Sequence, residues 1–373
     1  MTTLIRAKGP RELLAYVPFR LGYRPQDSVV LVGLRAPRGR VGLVVRVDVG
    51  DLADLHDGPQ VARSVVGHLV ADGAERVVLA VYSEVPLRGP AATAVRERAA
   101  VEHAREACES LLGPTEAWAV SPTGWANLDC TDASCCPPAG RALQDLESSE
   151  VSAHMVLAGA GVADSREDAM RIPRATPTAR RRAGRAAGAA RERRERARTE
   201  DERRAWRESS LGAWRAAVTQ VGATPGPTDL PGALVGRVLA GLECVPVRDA
   251  VLVSLVEATG ELADETVRGG DVDDGTADAI ARVVDPVLGA RPDQHVVETA
   301  RRVLETAAGH AVRGRAAPAL TLLAFVAWWE GDGGRASQRL REALAQDPRY
   351  RLALLLASAV DAGLPPGWVR SGG

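Results

Sequence analysis

Aromatic residues make up only 3% of this 373-residue chain: seven Trp, four Tyr and two Phe. A core of any size must therefore be built from Val, Leu and Ala. Lysine is almost absent, with Lys8 the single example among 47 basic residues. Together with abundant Ala, Gly and Pro, this reflects codon composition, so arginine counts carry little functional weight. Five cysteines in a chain of this length do not make a disulfide scaffold. The first residues, MTTLIRAKGPRELLAYVP, lack the continuous apolar stretch of a signal peptide. No apolar run approaches the ~20 residues of a membrane span. The formal net charge is −1, so no global field draws the chain to nucleic acid or to a membrane surface. The expectation is a soluble, cytoplasmic protein with no membrane association and no cofactor.

The motifs of common chemistries are also missing. There is no G-x-G-x-x-G and no G-x-x-x-x-G-K-[ST], and AGAG at 158–161 is too short and lacks the flanking strand and helix. There is no G-x-S-x-G and no H-E-x-x-H, and the six histidines are scattered.

What is present begins with PFRLGYRPQDSVVLVGL followed by GRVGLVVRVDV. These segments read as two buried strands joined by a short turn, both expected to be central in the sheet and covered on both faces. SVVLVGL is a continuous apolar run, the pattern of a strand covered on both faces. In the second, Val41, Leu43, Val45, Val47 and Val49 are expected on one face, and Gly42, Val44, Arg46 and Asp48 on the other. A helix follows, with Asp57 near its N-cap, Pro59 in its first turn and Gly73 at its end. RVVLAVYS is a third strand, AATAVRERAAVEHAREACESLL a long helix, and EAWAV with GWANL a hairpin. The first half is thus an α/β layer with a mixed, largely buried sheet flanked by helices.

Between Arg171 and Arg207 the composition changes to fourteen Arg against five Asp or Glu. Beyond TPGPT at 224–228 the periodicity is helical, over 232–243, 247–258, 276–288, 294–309, 316–330, 335–346 and 349–361. The expected organisation is an α/β domain over 1–165, an Arg-rich helical connector over 166–215, and an all-α domain over 216–373. In that last part Leu323, Ala324, Ala336, Leu340, Ala343 and Pro348 fall at the spacing of one tetratricopeptide-like repeat.

Four groups of residues are candidates for function, each with a plain structural alternative. Arg46 and Asp48, two apart on a strand, point the same way and offer either a ligand contact at a strand end or an ion pair covering the sheet. In LGYRPQDS, Arg24, Asp27 and Ser28 offer an anion contact or ordinary turn and capping bonds. Cys130, Cys135 and Cys136, with His154 as fourth ligand, offer a Cys₃His metal site or a redox pair. Their C-x₄-C spacing and adjacent cysteines favour a rigid structural loop, so no metal is expected. The Arg-rich segment offers a nucleic-acid surface, but its interleaved glutamates favour a solvated helix with Trp206 and Trp214 as docking anchors. Of the adjacent Trp328 and Trp329, one is expected in the core and the other partly exposed as a partner contact.

PFRLGYRPQDSVVLVGL, the R-x-D of Arg46 to Asp48, CCPPAGRAL and the W-x-x-G-D-G element around Trp328 to Gly333 occur in an order that resembles an actinobacterial family, the domain of unknown function numbered 4192. The likeness runs from about Leu13 to about Leu355. It implies no catalytic or cofactor residues. The leading expectation is a non-enzymatic binding or regulatory protein using its helical half for a protein partner, with a possible small-molecule pocket in the α/β half. The alternative is an enzyme whose site joins the 22–28 turn, Arg46/Asp48 and the 130–136 loop. Nucleic-acid binding through the Arg-rich helix is the third reading.

Overall fold

The run SVVLVGLR forms β1 (Ser28–Arg35), buried along almost its whole length because it has a strand on either side. The computed structural model describes residues 9–370 except 38, 89–93, 224, 225, 227, 228, 257–260 and 270–273. Most of the TPGPT break, the start of the AATAVRERAA helix and the end of the expected 247–258 helix lie outside the described residues. The chain divides into two compact units, one ending at Arg171 and the other starting at Ile172.

In the first unit, α1 (Pro10–Leu21) precedes β1, and β2 (Arg40–Asp48) returns antiparallel to it. Then come α2 (Val49–Ala53), α3 (Gly58–Ala71), β3 (Ala74–Tyr82), α4 (Val95–Leu112), β4 (Glu116–Ser121) and β5 (Gly124–Asn127). The unit ends with α5 (Gln144–Glu147), α6 (Glu150–Leu157) and α7 (Arg166–Met170). The strand order is β2-β1-β3-β4-β5, with β3 and β4 parallel and every other pair antiparallel. The α4 crossover is what makes the one parallel pair possible, since parallel strands need a long connection.

One face of the sheet carries Val29, Leu31, Leu79 and Val81 and packs on Leu52, Val66, Leu69, Val101 and Ala104. The other carries Val30, Val32, Ala80 and Tyr82 and packs on Leu13, Leu14 and Val17 of α1 and on Trp125. Two expectations need correction. First, β2 is an edge strand and only half-buried, so its apolar pattern does not mark a central strand. Second, a bulge sets Val32 against Val44 but Leu34 against Val41, three residues against two. The extra residue turns Val41 onto the face of Val44, away from Leu43, Val45 and Val47.

The second unit is all helical among its described residues. It comprises α8 (Pro177–Arg196), α9 (Glu200–Gly222), α10 (Gly232–Leu242), α11 (Val245–Val253), α12 (Leu262–Arg268), α13 (Asp274–Val284), α14 (Gln294–His310), α15 (Ala317–Trp329), α16 (Gly333–Gln346), α17 (Arg351–Asp361) and α18 (Gly367–Arg370). One extended core unites Leu211, Trp214, Leu239, Val251, Leu304, Leu322 and Leu340.

The 166–215 segment is divided by the structure. α7 belongs to the first unit, whereas α8 and the start of α9 pack into the second. Ala183, Ala187 and Ala190 form the buried stripe of α8, and the arginines between them face outward or pair. Arg191 forms a two-point bond to Glu243, at 2.8 and 2.7 Å. Arg203 and Arg207 both pair with Glu200. Thr199 and Glu202 form a capping box that starts α9. Trp214 is buried in the core, and Trp206 is partly buried with its indole donating to the Ala190 carbonyl at 2.8 Å.

Trp328 and Trp329 depart from expectation. Both are buried, at 6% and 1% exposure. Their indoles donate to the carbonyls of Leu364 (2.7 Å) and Ala290 (3.0 Å). The two rings point apart, but packed chain lies on both sides of the helix.

Candidate binding cavity and cysteine loop

Where the parallel strands β3 and β4 end, the first unit holds a cavity of about 590 Å³. Its floor is Tyr82, Ser83, Val120 and Ser121, the last residues of those strands and the one that follows β3. Leu14, Ala15 and Pro18 of α1 form one wall; Leu146 and Val156 of α5 and α6 help form another. The polar side chains inside are largely engaged. Tyr82 Oη donates to the Leu14 carbonyl at 3.4 Å, and burial pushes its phenol pKa well above the ordinary range. Ser152 Oγ donates to the Leu146 carbonyl at 2.9 Å, and Ser121 Oγ bonds within its own turn. Arg24 and Glu147 both line the cavity and form a solvent-exposed ion pair at 3.3 Å. The result is an apolar chamber with a charged pair at one side.

Of the sequence candidates at the opening turn and second strand, only Arg24 lines this cavity. Asp27 is exposed and holds a left-handed backbone conformation (φ 42°) while its carbonyl accepts the Val49 N–H at 2.9 Å. Its part is in the turn. Ser28 is fully buried, and its Oγ has no hydrogen-bond partner. Arg46 and Asp48 meet each other at 2.6 Å, with Arg46 also reaching the Gln26 carbonyl at 3.4 Å. The guanidinium is largely buried and the carboxylate half-exposed, the arrangement of an ion pair covering an edge strand.

The cysteine loop is a separate place. The sulfur atoms of Cys130, Cys135 and Cys136 all lie within 4.8 Å of one another. The loop is pinned to β5: Trp125 and Arg141 exchange backbone hydrogen bonds at 3.0 and 2.8 Å. Gly124 and Gly140 make this contact possible. A Cβ on Gly124 would stand 2.4 Å from the Arg141 carbonyl oxygen, and φ is positive at both glycines. Burial raises the Cys136 thiol, but a backbone hydrogen bond at Asn127, the neighbouring thiols and the Arg141 charge outweigh it and hold it below its ordinary value. At Cys130 a backbone bond at Asp132 lowers the pKa, but burial and the other two thiols outweigh it. His154 does not belong to this cluster, and its Nδ1 instead meets the Glu150 carbonyl at 2.8 Å. His154, the sequence candidate for a fourth ligand, is thus held by α6 through a contact to its own preceding turn.

The family model described as domain of unknown function (DUF4192) matches residues 10–367. The chain belongs to this family. No curated protein and no solved structure matches it. The matched span contains the cavity, the cysteine loop and the helical unit. No helix among the described residues is long and apolar enough to cross a membrane.

Sequence reasoning missed most of the cavity. Its α5 and α6 wall comes from Leu143 to Val162, a stretch with no strong periodicity. It also missed Arg88, which follows β3 and reaches the cysteine loop more than 40 positions away. Neither contact has a local signal.

Proposed function

We propose that this protein is a non-enzymatic binding protein whose α/β unit takes a small, mainly apolar molecule in the cavity between α1, the ends of β3 and β4, and α5–α6. The cavity itself carries this reading. Its volume of about 590 Å³ lies within the range of small-molecule sites, roughly 300–1,000 Å³. It also sits at the carboxyl ends of parallel strands, where open α/β sheets bind ligands. Arg24 would meet an anionic or polar end of the molecule while the leucine and valine walls take its apolar body.

Two features support binding over catalysis. Among the described lining residues there is no cysteine and no histidine, and the carboxylates are Glu84, which is exposed, and Glu147, which is paired. The enzyme alternative needs Asp27, Arg46, Asp48 and the cysteine loop in one cleft, and none of them lines this one. For the helical unit we retain the proposal of a protein partner, now resting on the exposed Leu354 and Leu355 of α17 and no longer on Trp328 and Trp329.

The test is organic extraction of the purified protein with mass spectrometry of the extract, alongside displacement of a fluorescent fatty-acid probe. Leu146→Trp should fill the chamber and weaken probe binding at least tenfold while the circular dichroism spectrum is kept. Arg24→Gln should weaken a carboxylate probe more than its neutral alcohol. Probe binding unchanged in a folded Leu146→Trp variant would overturn the proposal.

A further inference from the structure

Three sulfur atoms converging within 4.8 Å need a reason, because the chain does not have to bring them together to close the loop. The loop is closed by other groups. Arg88 spans it, donating from Nη1 to the Cys136 carbonyl at 2.5 Å and from Nη2 to the Cys130 carbonyl at 2.7 Å. Arg141 donates from Nε to the Cys135 carbonyl at 2.6 Å. The carbonyl of each cysteine is therefore held by an arginine, which fixes all three backbones. Arg141 is itself fixed, with its guanidinium 5.1 Å from the Trp125 ring centre and its backbone paired to β5. Its Nη2 also donates to the Cys135 sulfur at 3.3 Å, so the same arginine holds the side chain as well as the carbonyl.

We propose that Cys130, Cys135 and Cys136 form a three-thiolate site for a thiophilic d¹⁰ metal ion of the Zn²⁺ class, with a fourth coordination position open to water or to an incoming ligand. The distances fit. Zn–S bonds of about 2.3 Å in a tetrahedron put sulfur atoms about 3.8 Å apart. Cys135 and Cys136 Sγ already stand 4.0 Å apart, and the whole set needs to contract by less than about 1 Å. A disulfide explains the arrangement less well. Adjacent cysteines have Cα atoms about 3.8 Å apart, shorter than the usual disulfide span, and a Cys130 disulfide to either neighbour would leave the third sulfur without a purpose. Charge also fits, because three thiolates around a divalent cation carry a net negative charge beside the guanidinium of Arg141. Arginines and backbone groups that orient ligands around a metal are a regular part of such sites. Among the described residues no further Cys, His, Asp or Glu joins the cluster, which leaves the fourth position open. This site is independent of the cavity ligand proposed above.

The experiment is Zn²⁺ titration of the reduced full-length protein against a chromophoric chelator, with Co²⁺ as an optical reporter. The expected result is one Zn²⁺ per chain, and a sulfur-to-cobalt charge-transfer band in the near ultraviolet for the Co²⁺ form. Cys130→Ser, Cys135→Ser and Cys136→Ser should each weaken binding at least tenfold. Arg141→Gln should weaken it less, and His154→Ala and Cys244→Ser should leave it unchanged. Circular dichroism shows whether each variant is folded, and the wild-type titration alone decides if one is not. Failure of the reduced wild-type protein to compete for Zn²⁺ at micromolar concentration would overturn the site. So would a stoichiometry unchanged in a folded Cys130→Ser, Cys135→Ser, Cys136→Ser triple variant. Air oxidation that consumes two of the three thiols, with no Zn²⁺ bound beforehand, would overturn it in favour of a redox pair.

Discussion

Gly236 of α10 lies directly against the backbone of Ala183 in α8: a Cβ at that glycine would stand 2.3 Å from the Ala183 carbonyl oxygen. Two helices this close have no room for a side chain between them, so the contact locks the Arg-rich helix to the helical unit. We predict that Gly236→Ala destabilises that unit by about 1–3 kcal/mol through overpacking. Gly188, on the same helix as Ala183 but with nothing within 4 Å of its missing Cβ, is the control. Gly188→Ala should stabilise by about 0.5–1 kcal/mol, because alanine costs less to order in a helix. Urea unfolding of the two variants gives opposite signs if α8 is packed as described. If Gly236→Ala is neutral, the α8–α10 contact is looser than the backbone distance implies.

The same contact explains how the basic segment should behave towards proteases. A solvated connector would be cut first by trypsin at any of its many arginines. Because α8 buries Ala183, Ala187 and Ala190 and ties Arg191 to Glu243, cleavage between Pro177 and Arg196 should require opening of the unit. In the native protein this segment should survive limited trypsin, and Gly236→Ala should expose it. Early cutting at Arg185 or Arg191 in the wild type would show that α8 is not held.

Glu330 sits at the C-terminal end of α15, where the helix dipole already disfavours a negative charge. Burial raises its pKa above the ordinary carboxylate value, although Arg301 and Arg335 pull it down. A carboxyl group raised by folding contributes its stability in the neutral form. That contribution is complete below the unfolded-state pKa and is lost as pH rises through the raised native value. At neutral pH Glu330 is therefore a cost. Glu330→Gln should raise the melting temperature at pH 7, and the advantage should shrink as pH falls towards 4. A melting difference that is the same at pH 4.5 and pH 7.5 would contradict the burial argument.

Where a local pattern decides an element, the sequence reads well, and where partners come from a distance it does not. The continuous apolar run of β1 and the Asp57 start of α3 are local, and both agree with the structure. So does the hairpin of β4 and β5. The edge position of β2 depends on strand order, which the valines of VGLVVRVDV do not encode. α12 is seven residues long, LADETVR, too short for its period to stand out. The change to an Arg-rich composition at Arg171 coincides with the division between the two units, but the packing of α8 on α10 is not legible in it. At the sites, the cysteines were visible as a cluster, but Arg88 as their clamp was not. The cavity is invisible in sequence because its walls come from four separate stretches.

That distinction between strand order and strand pattern can be measured. Val30 is fully buried in central β1, whereas Val45 is half-buried in edge β2. Val30→Asp places an unpaired charge between the sheet and α1, at a cost of several kcal/mol, and should abolish soluble expression. Val45→Asp can turn its carboxylate towards the open edge, and should express with a lowered melting temperature. Equal loss of both would show that β2 is covered on the side away from β1.

The α15–α16 hairpin gives the last prediction. Ala336 and Ala343 are completely buried, and Leu323 and Leu340 nearly so, so small side chains alternate with large ones where the two helices meet. α16 starts from Asp332, whose side chain accepts the Arg335 N–H at 2.9 Å. Of its arginines, Arg341 is exposed, Arg335 is partly buried and paired with Asp332 at 3.2 Å, and Arg339 is buried and paired with Glu342 at 2.7 Å. With a leucine in place of Ala343 the helices would have to separate, which costs about 1–3 kcal/mol. Ala343→Ser adds one oxygen that can bond back to the preceding turn, so it should cost less than the leucine. Ala343→Leu should therefore melt the helical unit at lower urea with an unchanged m-value. A lower m-value would mean instead that the hairpin detaches before the rest. An Ala343→Leu protein as stable as wild type would show that the two helices are not in close contact at this position.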